Sequence, residues 1–197
     1  ECLNGEILPG LAAKGVVYQR PETLEPNAAQ TAADYFHEEV FPALTPIAAN
    51  EANFPRLAAL SLCIAVRLRA AAQERTQAPE PEPDKIALIQ LPRNWPRFFQ
   101  APAASGYHFI LLEDLVVHHI AEFFPGYAVR ETVVFRLTRN ADVPVQEDDA
   151  SDLMIDMEGV LRERKAGSPV RIEMAAGASR IMTRLLLETF PVERRQD

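Results

Sequence analysis

Ser61-Leu-Cys-Ile-Ala-Val-Arg-Leu-Arg69 alternates, with Leu62, Ile64, Val66 and Leu68 on one side and Ser61, Cys63, Ala65, Arg67 and Arg69 on the other. A period of two is the mark of a half-buried β-strand. Lys85 to Leu91 is again apolar and β-prone. The segment between, residues 70–84, includes Ala78-Pro-Glu-Pro-Glu-Pro-Asp84 and carries no bulky apolar side chain. Such a stretch is extended and solvated. The two apolar runs therefore read as a hairpin across a long loop, within one domain.

Upstream of this hairpin, Ile7 to Lys14 reads as the end of a short helix, closed by Gly15 and followed by strand-like Val16-Val-Tyr18. A longer helix is expected over residues 28–44. There Tyr35, Phe36, Val40 and Phe41 recur at helical spacing, and Asp34, His37, Glu38 and Glu39 are mostly opposite. Pro42 ends or kinks it, and Thr45 to Pro55 reads as a loop. Downstream, Tyr107 to Leu112 is a further strand. Glu113 and Asp114 place negative charge at the start of a helix bearing Val116, Ile120 and Phe123, which Pro125-Gly126 stops. Residues 128–138 form another strand, with Val129, Val133, Phe135 and Leu137 on one face. Asn140 to Leu161 holds seven acids and no Lys or Arg; within it Glu147-Asp-Asp149 sit at the start of a helix that ends at Arg162, Arg164 and Lys165 and is stopped by Gly167. A strand at 170–175 and an amphipathic helix at 179–190 follow. The sum is an α+β fold: a mainly antiparallel sheet of about five or six strands packed by four or five helices.

The chain has 197 residues, 48% hydrophobic and 24% charged, which fits one large domain or two small ones and allows a substantial core. Twenty Lys and Arg against 28 Asp and Glu give a net charge of −8. That balance provides no global basic footprint, so duplex nucleic acid is not an expected partner. Two cysteines do not build a disulfide scaffold, and reduced thiols in the cytoplasm suit them better than a Cys2–Cys63 bridge. The longest nearly apolar run, Leu57 to Val66, is ten residues and is flanked by Arg56 and Arg67. A membrane helix needs about 20, so no transmembrane segment is expected. The first residues lack the basic and apolar regions of a signal peptide. They also lack an initiating Met, as a piece cut from a longer chain would.

Tests for catalytic signatures come out negative. Gly5-x4-Gly10 and Gly10-x4-Gly15 are followed by Leu-Ala and Val-Val, where a phosphate loop needs Lys and then Ser or Thr. No G-x-G pair, C-x-x-C or G-x-S-x-G occurs. His37-Glu-Glu-Val-Phe41 matches a zinc-protease motif until its last residue, where Phe replaces the second His. His118 and His119 point about 100° apart on a helix and are poorly placed to hold one ion jointly. Asp148, Asp152 and Asp156 share a helix face, which reads as solvated, and Cys63 reads as a packed thiol. No metal ligand set and no catalytic residue is assigned.

The arginines carry the remaining signal. Phe54-Pro-Arg56, Leu91-Pro-Arg93, Trp95-Pro-Arg-Phe-Phe99 and Phe135-Arg-Leu-Thr-Arg-Asn140 set Arg56, Arg93, Arg97, Arg136 and Arg139 beside rigid or aromatic residues. Arginine suits bidentate phosphate binding. Pairing with nearby acids, such as Asp142, accounts for the same residues equally simply, and both readings stand at this point.

These segments also have an order. Asp34-Tyr-Phe-His-Glu-Glu-Val-Phe-Pro-Ala-Leu-Thr-Pro-Ile47 runs into Phe54-Pro-Arg-Leu-Ala-Ala-Leu-Ser-Leu62. Leu91-Pro-Arg-Asn-Trp-Pro-Arg-Phe98, Leu112-Glu-Asp-Leu-Val116 and Phe135-Arg-Leu-Thr-Arg-Asn-Ala-Asp142 follow, the last before the acidic helix. The succession resembles the head domain of bacterial polyphosphate kinase over nearly the whole chain. The F-R-x-T-R-N-A-D segment is its most specific part.

The resemblance implies a parent enzyme that reversibly transfers the terminal phosphate of ATP to inorganic polyphosphate, using ATP and magnesium. In that family an amino-terminal helical domain precedes the head, and two carboxy-terminal domains resembling phospholipase D follow it. The phosphorylated histidine belongs to those later domains, and none of His37, His108, His118 or His119 matches it. The head is implied to be a scaffold and dimerisation element near the polyphosphate path, inactive alone and with no bound cofactor of its own. Residues 1–27 then lead into the head, 28–190 form it, and 191–197 are a tail toward the absent carboxy-terminal domains. A cytoplasmic homo-oligomer is expected, with Arg56, Arg93, Arg97, Arg136 and Arg139 as candidate polyphosphate contacts. The alternative is a free-standing protein-interaction module with the same fold. Departures from the family pattern at Cys63 and Asn50, and a long Pro-Glu loop, bear on ligand contacts near those positions and not on the fold.

Overall fold

In the computed structural model the described residues are 2–49, 57–71, 84–140, 169–190 and 192. A π-helical turn, Leu3–Ile7, leads into helix α1 (Leu8–Ala12), and strand β1 (Val16–Tyr18) follows. Helix α2 (Pro26–Tyr35) runs on through a π-helical turn, Phe36–Val40, into α3 (Phe41–Ala43). Strands β2 (Ile47–Ala49), β3 (Leu62–Ala70), β4 (Lys85–Gln90), β5 (Phe98–Ala101) and β6 (Tyr107–Leu111) come next. Helix α4 (Leu112–His118) and a 3-10 turn, Ile120–Phe123, precede β7 (Tyr127–Arg139), β8 (Pro169–Met174) and α5 (Arg180–Thr189).

The strands form two sheets. The larger, in the order β2-β4-β3-β7-β8, is antiparallel throughout. The smaller has the order β1-β6-β5, with β1 parallel and β5 antiparallel to β6. The α+β class and the β3–β4 hairpin hold. The eight strands among the described residues exceed the expected five or six because two short ones add to them: β2 arises in a segment read as loop, and β5 in one to which the sequence pattern assigns no element. Neither has an alternating pattern long enough to read alone; each exists because a neighbour offers a free edge. The acidic helix, Asn50 and most of the Pro-Glu loop lie outside the described residues.

Strand β3 is buried on both faces, not half-buried. Ile64, Val66 and Leu68 pack into one cluster with Ala32, Phe36 and Val40 of the long helix and with Leu115 and Val116 of α4. Cys63 and Ala65, on the other face, join Val133, Phe135 and Leu137 of β7 beneath Met182 and Leu186 of α5. The small residues on the second face leave room for that helix, and this explains why the face reads as less apolar. The long helix buries Ala28, Ala32, Phe36 and Val40, every fourth residue, as one stripe.

Strand β7 contributes to both clusters, through a β-bulge. Arg67 pairs with Glu131 while Leu68 pairs with Val129, so Arg130 is an extra residue on the β7 side. A single inserted residue reverses the alternation. Val129 therefore packs on the first cluster, whereas Val133, Phe135 and Leu137 pack on the second. The sequence pattern had put all four on one face.

Candidate functional site: an arginine-lined cleft

At the end of the sheet where β3 begins, the chain turns sharply. Leu60 takes φ = 61°, a left-handed conformation uncommon for a branched residue, while its N–H donates to the Leu137 carbonyl at 2.7 Å. This turn brings Ser61 beside the loop after β4. There the N–H of Leu91 donates to the Leu62 carbonyl at 2.9 Å, and Pro92 starts the turn that carries Arg93. The N–H of Leu112, at the start of α4, donates to the Arg97 carbonyl at 2.8 Å, which fixes Arg97 next to Glu113.

A hollow of about 220 Å³ results, lined by Leu60, Ser61, Leu62, Arg93, Trp95, Arg97, Glu113 and Arg136 among others. A second, of about 320 Å³, adjoins it and shares Leu62, Arg97, Glu113 and Arg136. Three of the five arginines picked out in the sequence thus converge. Arg139 does not line either hollow: its Nε donates to the Leu57 carbonyl at 3.2 Å. Arg56 lies outside the described residues.

The acids of the cleft hold the arginines without covering them. Arg97 Nε donates to Glu113 Oε1 at 2.8 Å, and its Nη2 reaches the same oxygen. The Glu113 side chain is 4% exposed and that of Arg97 50%. The Glu113 hydrogen bond is the main reason the Arg97 guanidinium is held above its ordinary range. Arg136 donates through Nε to Glu173 Oε2 at 2.8 Å, and Arg171 meets the other oxygen of Glu173 at 2.8 Å. Arg93 is exposed and makes no ion pair among the described residues. Arg97 and Arg136 thus pair with the acids Glu113 and Glu173; Asp142 lies outside the described residues.

Two buried polar atoms on the wall have no hydrogen-bond partner among the described residues: Ser61 Oγ and Glu113 Oε2. A hydroxyl and a carboxylate oxygen left so are costly unless something else reaches them. Asp114 completes the acidic side and accepts a hydrogen bond from the Tyr18 hydroxyl at 2.5 Å. Burial pushes the Asp114 carboxyl up, against the Tyr18 bond, and burial with the same hydrogen bond pushes Tyr18 to about 12.

Chemically, the cleft presents positive groups to an anion, and no histidine is among the described residues that line it. Cys63, adjacent in β3, is buried and its thiol is pushed up to about 12 by burial, so it is no nucleophile. Both cysteines are free thiols. Sequence reasoning found the arginines from their Pro and aromatic neighbours. It missed Ser61, whose strand position carries no chemical signal, and saw Glu113 only as charge at a helix start. His118 and His119 do point to different partners, Glu22 and Glu122.

A family profile described as "Polyphosphate kinase middle domain" matches residues 27–196. The polyphosphate kinase of Thermosynechococcus vestitus is 33% identical over 190 residues, covering 93% of this chain and 25% of the relative. That of Mycobacterium ulcerans is 35% identical over 195 residues, covering 94% and 25%. The chain spans about a quarter of the length of the curated relatives it matches. The crystal structure of polyphosphate kinase from Porphyromonas gingivalis superposes with a TM-score of 0.73 at 23% identity, over 97% of this chain and 26% of that one.

Proposed function

The chain belongs to the polyphosphate kinase family as its middle domain, and from that premise we propose that it is the non-catalytic head of an enzyme transferring the terminal phosphate of ATP reversibly to polyphosphate. In this reading the head is a scaffold and dimerisation element, and its arginine cleft steers the polyanion. The observation that carries it is the convergence of Arg93, Arg97 and Arg136 on one hollow. The acidic partners of Arg97 and Arg136, Glu113 and Glu173, leave these two guanidinium groups about half exposed, at 50% and 42%. Arginine forks match phosphate oxygens, and a polyanion needs several such contacts in a row.

The scaffold role is supported by the outer side of α5, where Ile181 is 60% and Leu187 44% exposed. Exposed apolar side chains on one helix suit contact with another domain or a second copy. Among the described residues no helix is long and apolar enough to cross a membrane. The parent reaction would use ATP with magnesium. Magnesium prefers oxygen ligands, and the one group of three ligand-type side chains among the described residues contains two imidazoles. That group does not fit magnesium; in this reading the nucleotide and its metal are held by the carboxy-terminal domains of the parent enzyme.

The test has two arms. The isolated 197-residue chain should make no polyphosphate from ATP and magnesium, and its labelled-polyphosphate binding should weaken steeply with salt, as charge-driven binding does. Synthesis by the isolated chain would overturn the non-catalytic assignment. Unchanged low-salt affinity in the full-length protein after Arg→Ala at positions 93, 97 and 136 would overturn the steering role.

A further inference from the structure

Away from the cleft, His37, His119 and Glu122 meet at one point of the surface. His37 lies in the π-helical turn that continues α2, a feature often found at functional sites. His119 follows α4 directly, and Glu122 lies in the 3-10 turn after it. Glu122 sits between the two imidazoles. One carboxylate oxygen is 2.8 Å from His37 Nε2 and the other 2.7 Å from His119 Nδ1. One ligand atom from each of the three residues falls within 4.8 Å of the other two.

The surrounding structure holds this arrangement. The buried Phe36 ring stacks on His119 at 4.3 Å with 13° between planes, and the two histidine rings meet edge to face at 5.3 Å. Phe36 and Ile120, neighbours in sequence of His37 and His119, belong to the same core cluster. The ligand groups are therefore mounted on two anchored turns instead of a loose loop. The trio is also open outward, since the His37 and Glu122 side chains are 50% and 41% exposed.

Two imidazole nitrogens and a carboxylate, with room for a solvent molecule, are the donor set of open three-residue zinc sites. Tetrahedral coordination at about 2.0–2.2 Å places ligand atoms roughly 3.4 Å apart. The present separations need only small side-chain adjustments to reach that. Imidazole selects zinc and its first-row neighbours over magnesium or calcium. We propose that His37 Nε2, His119 Nδ1 and a Glu122 oxygen form a binding site for a divalent transition-metal ion of the zinc class, clipping the long helix to the turn after α4. The site is distinct from the arginine cleft and independent of the polyphosphate reading. The zinc-protease spacing at His37 fails in sequence because the missing ligand is supplied by tertiary structure, not by Phe41.

The experiment titrates the full-length protein with zinc chloride against a chromophoric chelator, with cobalt(II) absorption as a readout of coordination geometry. A chelator-resistant equivalent and visible cobalt bands are expected. His37→Ala and Glu122→Ala should remove both, while His118→Ala should keep them. Loss of outer-shell partners alone costs about 10- to 100-fold in metal affinity, so loss of a direct ligand should cost at least about 100-fold. His37 and Glu122 are half exposed, so these variants should fold, whereas His119→Ala would unstack Phe36 and is not used; circular dichroism checks the folding. Zinc bound equally tightly by His37→Ala and by the unsubstituted protein, or no stoichiometric binding, would show a hydrogen-bonded cluster only and overturn the proposal.

Discussion

Glu131 grips Ser179 at two points: one carboxylate oxygen accepts from the Ser179 backbone N–H at 2.7 Å and the other from its hydroxyl at 2.7 Å. The Ser179 hydroxyl oxygen in turn accepts from the Met182 N–H at 3.2 Å, capping α5. On its other side Glu131 meets Arg67 at 3.2 Å, and Arg67 meets Asp84 at 2.8 Å. Arg69 closes the chain onto Asp84 at 2.8 Å. The sheet thereby holds the helix that covers its second face.

Removing the cap tests this link. Ser179→Ala should destabilise the protein by about 1 kcal/mol, the usual cost of losing an N-cap. Leu186→Ala, which opens a cavity under the same helix, should cost about 2–5 kcal/mol. Urea denaturation midpoints would order the two; equal effects would mean that the cap also carries core packing.

Acid should loosen the same network first. For Asp84 and Glu131, burial raises the carboxyl pKa, but the bonds from Arg69 and Arg67, and from Ser179 and Arg67, outweigh it and leave both below their ordinary values of 3.8 and 4.5. Groups depressed in the folded state add stability that is fully present above the unfolded values. That stability is lost as pH falls through the folded ones. Melting temperature should therefore hold from neutral pH to about pH 5 and fall below it. In Asp84→Asn the fall should be shallower.

The arginines of the cleft should separate by what lies behind them. Arg93→Ala should leave stability within about 0.5 kcal/mol, as for an exposed side chain. Arg97→Ala leaves the buried Glu113 carboxylate without its partner and should cost about 2–3 kcal/mol. Arg97→Met combined with Glu113→Leu should recover much of that. Thermal unfolding of the four proteins distinguishes the cases.

Gly106→Ala should be poorly tolerated. Its φ is +78°, and a Cβ there would lie 2.5 Å from the Gly15 carbonyl oxygen, which accepts from Tyr107 at 2.7 Å. Left-handed backbone strain alone is worth about 1–2 kcal/mol, and the clash adds to it. Loss of the β1–β6 pairing should appear as faster amide exchange at Tyr107.

Thiol titration should find one reactive cysteine in the native chain and two after denaturation. Cys2 is exposed, while Cys63 is buried with its thiol at about 12. Rapid native labelling at Cys63 would mean that β3 opens locally.

The hairpin of β3 and β4 was legible because alternation over a full strand is a strong local signal. The short strands β2 and β5 were not, since three or four residues carry no period and their pairing depends on neighbours distant in sequence. The face of Val129 was misread for a related reason: alternation counts residues and has no knowledge of the extra one at Arg130. Pro and aromatic flanks pick out Arg93, Arg97 and Arg136 but cannot name Glu113 as the partner of Arg97 or Glu173 as that of Arg136. His37 and Glu122 lie too far apart in sequence for spacing to join them.

The bulge at Arg130 also sets what kinds of change β7 can absorb. In the register with β3, Arg130 is the residue inserted between Val129 and Glu131. Its removal would turn Glu131 away from Ser179, or else send Val133, Phe135 and Leu137 to the wrong core. At this point the fold depends on how many residues the strand contains, because the count decides which face each later side chain takes.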